Sequence, residues 1–257
     1  MHSLRIVTQN IWNVNDHWQE RADAIGQNMR ELDVDIICIQ ESVPDHFEYL
    51  KSHSFRGFPH AYYAASDDGS QTPRPQGLAI FSRLAALEDG KVEIGREREM
   101  SNPWMRNLQY IRVKLPSDHS LAVFNTHLFI SSTQKKTGIA TCVEVMQREE
   151  FADCIHVLAG DFNIKLDTQP DYLAPLAEQQ YADIWTAKNG DKTGYTAPHD
   201  LDHPLDERID GHFTQRDQLD RVKRVKLVNT EPINDGRLLL SDHIGVMAEL
   251  DFDGSTS

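Results

Sequence analysis

The apolar positions of this chain fall into short blocks, and the spacing within each block says which element it builds. Residues 4–9, with Leu4, Ile6 and Val7, are read as the first strand. A helix is predicted from about Asp16, because Trp18, Ala22, Ile25, Met29 and Leu32 recur at steps of four and three and share one face. Asp16 and Gln19 stand at capping-box spacing at its start. Residues 34–40 are almost wholly apolar, the pattern of a strand covered by another layer.

The same two rhythms continue to the end. A shorter helix is expected near 45–52, and Thr72, Pro73, Arg74, Pro75 and Gln76 read as loop, since proline cannot donate to a ladder. Strands are predicted at 77–82, 106–115 and 120–126, then at 155–159, 209–215, 221–228 and 244–252. A second long helix is placed at about 141–153, with Thr141 and Glu144 at capping-box spacing. Strands outnumber helices too heavily for one large parallel sheet covered on both faces. Two sheets packed face to face with helices outside fit the count, an α/β arrangement.

Length and composition narrow the class. The chain has 257 residues, enough for a large core, and no repeat or linker-like stretch divides it, so residues 1–257 are read as a single domain. The first residues lack the apolar stretch of a signal peptide, and no run approaches the roughly 20 apolar residues of a membrane span. Cys38, Cys142 and Cys154 are odd in number and form no C-x-x-C pair, so reduced, buried thiols are expected. A cytoplasmic monomer without stable membrane association is the resulting expectation. The formal charge of −14, from 40 acidic against 26 basic residues, argues against extensive non-specific grip on duplex DNA.

The chemistry lies where the strands stop. Asn10, Glu41 and His127 each follow an apolar run; residues 155–159 lead into Asp161 and Asn163, Ile209 into Asp210, and Asp242 and His243 precede the last strand. Each alone is an ordinary turn former or cap. Together they place two histidines, four carboxylates and two asparagines at sheet ends, where α/β folds collect their sites. Oxygen donors without cysteine favour Mg²⁺ or Mn²⁺ over zinc. Phosphoryl transfer asks for such a set: an oriented water, a clamp on the phosphate and neutralised charge.

In order along the chain stand Thr8-Gln9-Asn10, Ile39-Gln40-Glu41, Asn125-Thr126-His127-Leu128, Gly160-Asp161-Phe162-Asn163 and Ser241-Asp242-His243. This series resembles the endonuclease/exonuclease/phosphatase superfamily over nearly the whole chain. The resemblance implies a four-layer sandwich, two packed mixed β-sheets flanked by helices on both outer faces. It implies Asn10 and Glu41 as ligands of a catalytic Mg²⁺ or Mn²⁺, with Asp242 beside the metal. Asp161 would orient or deprotonate the attacking water and Asn163 would contact phosphate. His243 would bind or protonate a phosphate oxygen, oriented by Asp210. His127 would be a second phosphate contact and Arg106 a third, with Arg112 as the rival arginine.

Two sub-groups are echoed. Asn10-Ile11-Trp12-Asn13 with Trp18-Gln19-Glu20-Arg21 looks like a set of bacterial hydrolases, whereas Ile39-Gln40-Glu41-Ser42-Val43-Pro44 and Met105-Arg106-Asn107-Leu108 look like tyrosyl-DNA phosphodiesterases. Trp12 departs from the second group, which tends to have aspartate there. The resemblance therefore implies a phosphorylated substrate, with DNA or RNA ends or damaged sites first. A phosphatase or phosphodiesterase for an inositol phosphate, nucleotide or sphingomyelin-like lipid is the alternative.

Three weaker features complete the reading. Residues 197–207, rich in His, Asp and proline, are taken as a solvated loop, with a substrate-facing lid as the alternative. The basic residues from Arg216 to Lys226 fit the guard charges of an edge strand. Trp104, Phe129 and Trp185 are assigned to core, with stacking on substrate as the rival role.

Overall fold

The computed structural model of the chain describes residues 3–14, 16–66, 76–96, 105–116 and 119–252. The loop expected at 72–76 lies outside them except for Gln76, and so does Trp104.

Two six-stranded mixed sheets pack face to face. The first is built from β1 (Ser3–Asn10), β2 (Ile36–Ser42), β3 (His60–Ala65), β4 (Gly77–Ser82), β11 (Val222–Val228) and β12 (Gly245–Asp251), in the order β11-β12-β1-β2-β4-β3. The second contains β5 (Ala86–Arg96), β6 (Met105–Lys114), β7 (Ser120–His127), β8 (Cys154–Asp161), β9 (Tyr181–Asp183) and β10 (Asp210–Gln215), in the order β5-β6-β7-β8-β10-β9. Helices α1 (Trp18–Glu31) and α2 (Pro44–Tyr49) cover the first sheet. Helices α3 (Ser132–Met146) and α4 (Ala174–Glu178) cover the second, and α5 (Ile184–Asn189) lies against β10 and β11.

Alternation along the strands builds the layers. Ile6, Ile36 and Cys38 point between the sheets and meet Val123, Val157 and Ala159 from the other side. Their neighbours Val7, Ile37 and Ile39 turn outward against Ala22, Ile25 and Met29 of α1. Phe124 and Leu158 likewise turn out under Ile139, Cys142 and Val143 of α3. Residues buried on both faces account for the continuous apolar runs of β2, β7 and β8.

Two local expectations are corrected. Helix α1 starts at Trp18 behind His17, whose φ is 50°, and no Asp16–Gln19 capping box forms. Arg21, buried at 2% exposure, gathers the carbonyls of Trp12, Val14 and Asp16 above the helix start with its guanidinium. Helix α3 runs from Ser132 to Met146 instead of 141–153, so Thr141 sits in mid-helix with its hydroxyl on the Thr137 carbonyl. Gly138 permits that course, because a Cβ there would stand 2.7 Å from the Phe129 ring. Residues 216–221 form a 3-10 turn, and β11 starts at Val222.

Strands β3, β5 and β9 were not predicted. Exposed alternate residues in β5, and the shortness of β9, leave little apolar signal. The basic segment does lie at a sheet edge, where Arg224 pairs with Glu249 at 2.6 Å and Lys223 with Asp251 at 2.8 Å. Phe129 and Trp185 belong to the core, and all three cysteines are free and buried.

Candidate active site

Strand direction gathers the site. β1 and β2 run parallel, as do β7 and β8, so Asn10, Glu41, His127 and Asp161 all emerge at one end of the sandwich. The antiparallel strands deliver their starts to the same end: Asp210 opens β10 opposite Asp161, and His243 precedes β12. His127 and Asp161 are directly paired in register. Gly160 permits close strand packing here, since a Cβ would collide with the Thr126 carbonyl.

Asp161 is the centre, with 1% of its surface exposed. Its Oδ1 accepts the Asn163 backbone N–H at 2.9 Å. Its Oδ2 accepts the Asn10 amide at 3.1 Å and lies 3.4 Å from His127 Nε2 and 3.8 Å from His243 Nε2. His243 turns its other nitrogen, Nδ1, to Asp210 Oδ2 at 2.9 Å. Burial opposes a proton on His243, but Asp210, Asp161 and Asp242 together hold its pKa well above the ordinary 6.5. The result is an imidazolium between two carboxylates. Asp161, Asp210 and His243 also form a group whose potential ligand atoms lie within 4.8 Å of one another. The 2.9 Å bond to Asp210 commits His243 Nδ1 and gives the trio the shape of a proton relay.

Asn10 and Glu41 form the adjoining corner. The Asn10 amide also donates to Glu41 Oε1 at 3.2 Å, while Glu41 Oε2 accepts the Asn13 N–H at 3.0 Å. Glu41 (φ 62°), Trp12 (φ 56°) and Asn163 (φ 50°) all adopt left-handed backbone, a costly conformation that clusters where side chains must be aimed. Asp242 completes the corner. Burial first, then the charges of Glu41 and Asp161, raise its carboxyl to about 6. Crowded carboxylates offering only oxygen donors are the chemistry of a hard divalent cation site, and the residues present fit Mg²⁺ or Mn²⁺.

The remaining expected residues are also here. His127 is held neutral, with its pKa down to about 3, by burial and then by the Arg106 guanidinium. Arg106 and His127 line one small cavity with Gln76 and Asn107. Arg112 is engaged elsewhere, 3.1 Å from Glu88, which leaves Arg106 as the arginine of the site. The Asn163 side-chain amide donates to the Leu128 carbonyl at 3.0 Å.

Sequence reading gave no role to the polar layer below. Gln40 donates to Asn125 at 2.7 Å across the two sheets, and Asn125 donates to the carbonyls of Ile39 and Ala79. Gln9 donates to the carbonyls of Asn10 and His243, and the Ser241 hydroxyl donates to the Asn10 carbonyl at 2.7 Å. The available signal was an amide inside an apolar run, as at Gln40 and Asn125. The 197–207 segment borders the site, with the His199 N–H on the Asp242 carbonyl at 2.6 Å.

The family model described as "Endonuclease/Exonuclease/phosphatase family" matches residues 7–243. The chain belongs to the endonuclease/exonuclease/phosphatase family. Protein angel homolog 2 of Mus musculus is 28% identical over 163 residues, 57% of this chain and 29% of that protein. The chain thus spans less than a third of that relative. A solved family protein of Bacteroides thetaiotaomicron superposes with a TM-score of 0.80 at 21% identity, covering 98% of this chain and 99% of its own. D. rerio TDP2 complexed with single-strand DNA product gives 0.76 at 20% identity, covering 98% of this chain and all of the other (100%). A mannosyl-6-phosphatase of Bacteroides thetaiotaomicron gives 0.75 at 20% identity, covering 97% and 100%. These likenesses establish the sandwich fold of this phosphoesterase family member; so varied a set of proteins on one fold leaves substrate choice to the site.

Proposed function

We propose that the protein is a divalent-metal-dependent hydrolase that attacks a phosphoester with water and recognises its substrate through few phosphates. The observation that carries this reading is the placement of Asp161 Oδ2 between His127 Nε2 at 3.4 Å and His243 Nε2 at 3.8 Å, beside the Asn10–Glu41 corner. A Mg²⁺ or Mn²⁺ ion held by Asn10, Glu41 and Asp242 would supply positive charge against the phosphate oxygens.

The protein's own groups cover the rest. Asp161, fixed by the Asn163 N–H, accepts a proton from the attacking water and aims its lone pair at phosphorus. His243, protonated and oriented by Asp210, donates from Nε2 to a phosphate oxygen. Neutral His127 and cationic Arg106 bind the remaining oxygens. The water oxygen ends on phosphorus, the P–O ester bond breaks, and the departing alkoxide takes a proton from solvent while Asp161 returns the water's proton to solvent. A nucleic-acid end, the substrate class expected first from the sequence, meets the same requirement of one exposed phosphate.

The test is turnover of p-nitrophenyl phosphate and bis-p-nitrophenyl phosphate in Mg²⁺ or Mn²⁺, with and without excess EDTA. Activity should vanish in chelator. Glu41→Gln and Asp161→Asn should each reduce the rate by about a hundredfold or more, the scale of losing one preorganised electrostatic group. Full activity in EDTA would refute the metal reading.

A further inference from the structure

Arg21 falls three residues after Trp18 and four before Ile25, on the face that α1 turns to the protein, and it is buried. A buried cation costs free energy unless its donors are satisfied. Among the described residues, each hydrogen bond of its side chain ends on a backbone carbonyl. Nη1 donates to Asp16, and Nη2 donates to Trp12 at 3.4 Å and Val14 at 3.1 Å. The Trp12 ring covers the same group, its centroid 5.0 Å from the guanidinium carbon.

All three carbonyls belong to the connection between β1 and α1. Residues 11–14 lie in no helix or strand, so no ladder holds them. Trp12 has a φ of 56°, a conformation that persists where the surroundings over-determine it. The Val14 N–H on the Trp12 carbonyl at 2.7 Å tightens the turn, and Arg21 ties residues 12, 14 and 16 to the helix.

The amides of the same segment serve the metal corner. The Trp12 N–H donates to Asn10 Oδ1 at 3.0 Å, and the next N–H, that of Asn13, donates to Glu41 Oε2 at 3.0 Å. The first bond fixes which end of the Asn10 amide is which. Its Nδ2 then meets Glu41 and Asp161, while Oδ1 keeps a second lone pair. The second bond holds Glu41, whose own φ is 62°. Two successive backbone donors therefore aim the two residues assigned to the ion.

We propose that Arg21 is a positioning residue of the metal corner: by clamping the carbonyls of Trp12, Val14 and Asp16 it fixes the two N–H groups that aim Asn10 and Glu41. The proposal rests on the metal reading above and names a residue outside the ligand set that governs the affinity.

The sign of the effect separates positioning from charge. Arg21 lines an open groove with Asp242, whose carboxylate interacts with its charge. A cation here repels a divalent ion, so if charge were its whole influence, removing it would tighten metal binding. Loss of positioning weakens binding.

The test is calorimetric titration of the full chain with MnCl₂ without substrate, alongside thermal unfolding in EDTA to report the fold. Arg21→Gln and Arg21→Lys should each weaken Mn²⁺ binding by about tenfold or more, the scale of losing a group that orients a ligand. Lysine keeps the charge but lacks the planar fork that spans several carbonyls, so it should not rescue. Trp12→Leu, at a half-buried position, keeps Arg21 and loses the ring contact; it should weaken binding severalfold, and it decides the matter where the Arg21 variants do not fold. Equal or tighter Mn²⁺ binding by either folded Arg21 variant, or unchanged binding by Trp12→Leu where neither folds, would overturn the proposal. Absence of Mn²⁺ binding by the unsubstituted protein would instead overturn the metal reading on which it rests.

Discussion

Gln40 and Asn125 lie in different sheets, yet the Gln40 amide donates to the Asn125 side-chain carbonyl at 2.7 Å with both residues fully buried. Each sits one or two positions before a residue of the catalytic corner: Glu41 follows Gln40, and His127 follows Asn125 by two. The bond therefore sets the spacing of the two sheets directly beneath the site. Because Asn125 also serves the Ile39 and Ala79 carbonyls, losing it strands several buried groups.

Asn125→Leu and Gln40→Leu should each lower stability by about 1–3 kcal/mol per stranded polar group. The double variant should lose less than the sum, since its two losses are of the same contact. Urea unfolding of the four proteins measures this. Strict additivity would show that the cross-sheet bond contributes nothing of its own.

His243→Ala and Asp210→Asn should damage one catalytic step. Asp210 holds His243 Nδ1 at 2.9 Å and thereby aims Nε2, so either loss disables the same donor. Each should lower kcat/KM by about a hundredfold, and the double variant should be little worse than the worse single one. Multiplying losses would separate the two residues.

Acid should destabilise the fold well above the carboxylate range. Burial holds His212 neutral with its pKa down to about 3, His127 is held down to about 3 by burial and Arg106, and burial lowers His156. Unfolded histidines titrate near about 6.5. Below that pH the unfolded chain takes up protons that these folded side chains refuse, so stability falls toward pH 3 by about 1.4 kcal/mol per pH unit for each of His212 and His127, and His156 adds to the fall. Asp242, raised to about 6, acts with the opposite sign between its folded value and about 3.9, and offsets one of them. His243, raised in the folded state, acts with the opposite sign near about pH 6.5, where its unfolded form still titrates, and adds no slope once both forms are protonated. Urea midpoints from pH 7 to 4.5 should fall, and His212→Leu should flatten the curve. A midpoint constant over that range would contradict this account.

What the sequence determined is the part written in short-range spacing. Short apolar runs gave most strands of both sheets, the three-and-four steps gave α1, and the polar residue ending each run gave the candidates Asn10, Glu41, His127, Asp161, Asp210 and His243. Local signals missed two helix starts: Arg21 gathers the carbonyls before α1, which starts behind His17, and α3 begins early, with Gly138 close against the Phe129 ring. Only the tertiary structure decided that Asp210 bonds His243 across 33 positions of sequence, that Arg106 and not Arg112 stands beside His127, and that the Asn13 N–H meets Glu41. Those facts depend on strand order and register. Both are settled by burying two faces of each sheet at once, a condition no single segment carries.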